Sequence, residues 1–158
     1  MPIFTIEIEK IELEEGIDSY TRGHITIQGE HGIISSQKMI NNQSMIIFIS
    51  ISDLLDGIRI FLINQSQRIY HFVGVGCSFQ FLLVKETSNK FRLTNLKSEI
   101  IDEMTRLQLI ESVWQEVKAF MFKYGDSIDE DEIIKNDLTD SIKEFEKQFN
   151  FRDKIPGG

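Results

Sequence analysis

Three histidines and one cysteine are the residues best suited to proton transfer, nucleophilic attack or soft-metal binding in this 158-residue chain. His24 and His31 flank a short loop with Glu30 beside it, so a metal pair or a hydrolytic site built from the two and nearby carboxylates is one reading. The sequence has no H-E-x-x-H and no paired cysteines, which such sites commonly use. Incidental surface histidines are the simpler expectation. Cys77 sits in Gly74-Val75-Gly76-Cys77-Ser78. A nucleophilic thiolate needs a base at hand and a lowered pKa. His71 is near in sequence, but nothing local aims it at the thiol, so a small residue in a tight turn is expected. Gly74-x-Gly76 is no dinucleotide fingerprint, because Phe79 stands where the third glycine belongs and a strand follows. Neither GxSxG nor a P-loop occurs.

Carboxylates are plentiful. Glu7, Glu9, Glu12, Glu14 and Glu15 crowd the start, and Asp126, Asp129, Glu130, Asp131 and Glu132 form a second run. A calcium loop needs ligands at alternate positions and a central glycine. The second run puts Ile128 at a ligand position and has no such glycine. Paired acids for glycoside hydrolysis depend on spatial separation, which spacing along the chain does not report. A charge run is ordinarily a solvated face. The functional alternative is an acidic docking patch for a basic protein, since opposite-sign patches steer association. Its candidate residues are Glu12, Glu14, Glu15, Asp129, Glu130, Asp131 and Glu132. The formal net charge of −8 and a pI near 4.9 oppose binding to nucleic-acid phosphates. No cofactor, metal or membrane partner is expected, and self-association stays open.

The positioning elements start from Ser44–Gln65. Met45 to Ile49 is a short apolar run rich in β-branched residues, which predicts a buried strand, with one helix from Ser44 to Asn64 as the rival reading. Ser50 and Asp53 have capping-box spacing. Ile51, Leu54, Leu55, Ile58, Phe61 and Leu62 then trace one helix face. Gly57 inside that helix suggests close packing on a sheet. Before it, Phe4, Ile6 and Ile8 alternate with polar residues as a strand that breaks near Lys10. A hairpin turning at Gly29–Gly32 joins strands over 20–28 and 33–37, and 38–43 reads as a loop. Three further strands over 68–75, 78–86 and 90–96 form a meander, with 97–104 either strand or helix. Thr105 and Gln108 make a second capping box. The helix behind it carries Leu107, Ile110, Trp114, Val117, Met121 and Tyr124 on one face, with Gly125 as its stop. Phe122 falls off that face and either meets the last helix or joins an interface. A last helix covers Thr139–Phe149.

The expected fold is therefore α+β: an antiparallel sheet of about six to seven strands, one helix inserted mid-chain and C-terminal helices packed on it. Residues 1–151 read as one domain and 152–158 as a flexible tail. A single cysteine forbids an internal disulfide and suits a reducing compartment. With no basic-then-apolar leader and no membrane-length apolar run, a cytoplasmic location is expected.

Two stretches, SMIIFISISDLLDGI (Ser44–Ile58) and TRLQLIESVWQEVKAFMFKYGD (Thr105–Asp126), together with the order of elements, resemble small acidic immunity proteins of bacterial polymorphic toxin systems. The resemblance implies a non-enzymatic inhibitor that binds one toxin in the cytosol. It carries no catalytic or binding residue over to this chain.

Overall fold

A computed structural model describes residues 1–37, 43–129 and 132–150. The α+β class holds, but the strands divide between two four-stranded antiparallel sheets. In the first, β1 (Ile3–Ile8) pairs with β2 (Arg22–Gln28), whose other side carries β3 (Ile33–Ser35) and β4 (Met45–Ile46). The second is a meander of β5 (Ile69–Val73), β6 (Gln80–Thr87), β7 (Lys90–Thr94) and β8 (Ile100–Met104). Two backbone bonds stitch the sheets together: Ile46 N–H donates to Val75 O, and His31 N–H to Ile101 O, both at 2.9 Å. The ambiguous stretch after residue 96 is thus the edge strand of the second sheet.

Four helices complete the chain: α1 (Lys10–Glu15), α2 (Ile47–Ile63), α3 (Arg106–Tyr124) and α4 (Ile133–Phe149). Helix α2 is the centre. Ile47, Phe48, Ile51, Leu54, Leu55, Ile58 and Phe61 are all fully buried. Each large apolar side chain contributes about 1.5–3 kcal/mol on burial. Phe48 meets Phe120 of α3 edge-on at 5.6 Å, and Phe61 meets Phe91 of β7 at 5.8 Å. Helix α4 packs along another side of α2.

Several expectations are corrected. The strand expected over Met45–Ile49 stops at Ile46, and the helix begins at Ile47 without a side-chain cap. Ser50 is inside the helix, and its Oγ accepts from Val75 N–H at 3.0 Å instead of capping α2. A helix enclosed on most sides is apolar on most sides, so its first turn carries the residues of a buried strand. Past Lys10 the chain coils into α1 rather than resuming a strand, which leaves Ile11 and Leu13 exposed. Leu107 is also exposed, and the buried face of α3 instead includes Leu109, Val113 and Phe120. The Thr105–Gln108 capping box forms in both directions. Gly125 is right-handed and continues into a 3-10 turn, Gly125–Ser127. Helix α4 starts at Ile133, six residues before the expected Thr139. Most of the 38–43 loop and all of the 152–158 tail lie outside the described residues.

Gly57 is where α2 touches the second sheet. A Cβ there would run into the ring tip of Tyr70 on β5. Gly→Ala in a helix interior ordinarily gains up to about 1 kcal/mol. At position 57 the sign reverses, because overpacking costs about 1–3 kcal/mol. Gly57→Ala is expected to lower the urea midpoint; an unchanged or raised midpoint would refute the close approach.

Candidate functional site

A concavity of about 770 Å³ lies between β1, α1 and the C-terminal half of α3. His24 forms part of its lining. The β1–β2 register sets Glu7 opposite His24, and Glu9 follows at the α1 N-cap. The imidazole is bracketed: Nδ1 lies 2.8 Å from Ser36 Oγ, and Nε2 lies 3.0 Å from Glu9 Oε1. Serine, histidine and carboxylate in that order have the composition of an acyl-transfer triad. Here the serine is fully buried, and its Oγ also accepts from Ile25 N–H at 3.1 Å. A nucleophile must reach a substrate, and this one is sealed. The group ties β1, β2 and the segment after β3 together.

The same cleft shows how the first sheet protects its edge. The outward N–H of Ile6 on β1 donates to Glu116 Oε1 of α3 at 2.8 Å. An unpaired strand edge invites another strand, and this carboxylate occupies one of its donors. Burial raises the Glu116 pKa above the ordinary carboxylate value; the Ile6 N–H pulls it back and nearby Glu7 raises it again.

His31 is exposed in the β2–β3 turn. His24 is four residues of extended strand from the end of β2, about 13 Å at 3.3 Å per residue. The structure therefore does not bring the two histidines together, and no cluster of metal-ligating side chains occurs among the described residues. His71 bonds Gln80 Oε1 at 2.5 Å. Cys77 sits in its tight turn with Sγ directed at Gly74 O. Phe122 is 81% exposed, so it does not pack on the last helix.

Of the seven candidate docking acids, Glu12, Glu14 and Glu15 lie on α1, which buries none of its residues. Asp129 is exposed beyond the 3-10 turn, and Glu132 is the N-cap of α4. Glu130 and Asp131 lie outside the described residues. None of the five described ones lines the His24 cleft or the groove that follows.

That groove, about 340 Å³, runs between α2 and α4. Ser52, Asp53, Asp56 and Arg59 line it from α2; Asp137, Asp140, Ser141 and Glu144 line it from α4. Steps of three and four put each set on one helix face, and the packing of the two helices sets the faces together. Asp56 takes most of the local pairing. Its Oδ2 accepts from Ser141 Oγ at 3.1 Å, and its Oδ1 lies 3.8 Å from the Arg59 guanidinium. Asp53, Asp137, Asp140 and Glu144 have no ion pair among the described residues. Ser52 is 94% buried and its Oγ has no hydrogen-bond partner. Partial burial, then the charge of Asp56, raise the Asp53 pKa above its ordinary 3.8.

Asp53 and Asp56 fall outside the apolar stripe of α2, but nothing local connects them with Asp137, Asp140 and Glu144. The available signal was the i, i+3, i+7 spacing of the α4 acids, hidden by placing the helix start too late.

No protein-family model, no curated protein and no solved structure matches the chain. The functional reading therefore rests on this geometry. Among the described residues, no helix is long and apolar enough to cross a membrane.

A carboxyl whose folded pKa is raised binds more protons folded than unfolded below that pKa. Its contribution to stability is present below the unfolded value of 3.8 and is lost as pH rises through the folded one. Asp53→Asn should therefore stabilise the protein at neutral pH, by less than about 1 kcal/mol because the side chain is largely wet. The gain should vanish below pH 3.8. Urea midpoints measured across that range check it; a destabilising effect at neutral pH would mean that Asp53 has an unseen cationic partner.

Proposed function

We propose that this chain is a non-enzymatic protein-binding module that docks a basic partner on the acidic α2–α4 groove. In its sharpest form it is an immunity protein that covers the basic active-site cleft of one toxin, the role implied by the sequence resemblance. The observation that carries the docking reading is the set of four carboxylates, Asp53, Asp137, Asp140 and Glu144, around one groove with no ion pair among the described residues. Five carboxylates share the single cation Arg59, which pairs with Asp56, and the excess like charge disfavours the free protein until an arriving Arg or Lys relieves it. Ser52 Oγ offers such a donor a buried acceptor. The groove replaces Glu12, Glu14, Glu15, Asp129 and Glu132 as the favoured surface, since none of these lines it or the His24 cleft.

The hydrolase reading has no comparable support. The serine beside His24 is sealed, and His31 is at the other end of β2.

Calorimetric titration with an arginine-rich peptide tests the groove. Asp137→Asn with Asp140→Asn should weaken binding by about tenfold or more, against little change for the exposed Glu12→Gln, Glu14→Gln, Glu15→Gln variant. Equal losses from the two variants would mean that net charge alone, and not the groove, attracts the peptide. The immunity form is tested by co-expression with a toxin encoded beside this gene. Wild type should restore growth and the double Asp→Asn variant should not. Equal rescue by both would place the contact elsewhere.

A further inference from the structure

At the C-terminal end of α2 lies a third concavity, about 450 Å³, opposite in character to the acidic groove. Arg68, Lys85 and Arg106 converge on it beside Gln65, Thr87 and Ser88, and no carboxylate is among its lining residues. This stands out in a chain with 25 acidic and 17 basic residues. It shares no lining residue with the acidic groove.

Part of the pocket has a structural duty. Lys85 Nζ donates to Phe61 O at 2.6 Å and to Asn64 O at 2.9 Å, and Arg106 donates to Leu62 O at 2.8 Å. These are carbonyls at the end of α2, where the helix dipole amounts to about half a negative charge. Capping accounts for Lys85 and Arg106 but not for Arg68. The Arg68 side chain is exposed and has no ion pair or hydrogen bond among the described residues. Three full positive charges against half a negative one leave roughly two and a half unbalanced. Burial, then Arg106 and Arg68, push the Lys85 pKa down, with no carboxylate among the causes.

Unspent donors face the same space. An ammonium has three N–H groups and Lys85 uses two; a guanidinium has five and Arg106 directs one at Leu62. Thr87 Oγ1 accepts from Asn89 N–H, which leaves its own proton to donate. We propose that this pocket binds the phosphoryl group of a small phosphate ester. A phosphomonoester carries about −1.5 to −2 at neutral pH and presents three acceptor oxygens, which balances the excess better than a carboxylate does. Arg pairs phosphate oxygens two at a time. The volume falls in the range of small-molecule sites, about 300–1,000 Å³, and leaves room beyond the bare ion. A polymeric phosphate is disfavoured by the net charge of −8.

Titration of the intact protein with ribose 5-phosphate, inorganic phosphate and acetate, at constant ionic strength, tests this. Saturable binding of ribose 5-phosphate is expected, with acetate weaker by about tenfold or more. Arg68→Gln should weaken the ester by about tenfold or more. It should not lower the thermal midpoint of the unliganded protein, because the Arg68 side chain holds no structural contact and its charge opposes that of Lys85. No saturable binding of ribose 5-phosphate would overturn the proposal. So would acetate binding as tightly, or Arg68→Gln binding like wild type. Binding of inorganic phosphate with exclusion of the ester would overturn the ester assignment.

Discussion

Helix α2 sets the terms for everything around it. A helix buried on one stripe needs a single neighbour, but one with Ile47, Phe48, Ile51, Leu54, Leu55, Ile58 and Phe61 all inaccessible must be enclosed. The second sheet supplies one wall, through Tyr70 at Gly57 and Phe91 at Phe61. Helix α3 supplies another through Phe120, and α4 closes a third. The first sheet hands the chain into α2 through β4, and Thr21 O accepts the Ile47 N–H at 3.0 Å. One contiguous apolar core results, running from Phe4 on β1 to Phe145 on α4.

Enclosure also decides where polar chemistry can stand. The helix reaches solvent along the seam with α4 and at its C-terminal end. At the seam, carboxylates from two helices meet with Arg59 as the lone lining cation. At the end, helix carbonyls draw in Lys85 and Arg106, and Arg68 adds a third cation. Charges of opposite sign thus occupy successive stretches of one rigid element, the groove at 49–59 and the capped carbonyls at 61–64. The His24 cleft behaves differently. Its polar groups satisfy one another, with Ser36 and Glu9 on the imidazole and Glu116 on the Ile6 N–H. Internally satisfied groups hold a fold together, whereas uncompensated ones are what a ligand can relieve.

Local signals were legible in the sequence, and non-local ones were not. The Thr105–Gln108 box, the Gly29–Gly32 hairpin turn and the meander all depend on residues a few positions apart, and each formed. The start of α2 was misread because Met45 to Ile49 is β-branched and continuously apolar, and burial on most sides removes the period that separates helix from strand. The division into two sheets depends on which distant strands pair, which no local pattern records. The acidic groove shows both limits. Asp140 and Glu144 fall within the helix expected over Thr139–Phe149 and Asp137 just before it, and only the helix packing joins them to Asp53 and Asp56. Arg68 before β5, Lys85 on β6 and Arg106 on α3 are far apart in sequence and carry no motif.

Native-state hydrogen exchange tests the enclosure of α2 most directly. The backbone amides of Ile51 to Phe61 should exchange only through global unfolding and be among the slowest in the chain, with their free energy of opening matching that from urea denaturation. If these amides exchanged through a smaller, subglobal opening while those of β6 and β7 stayed protected, α2 would be a surface element. The walls, the acidic seam and the cationic end described around it would then lose their common support.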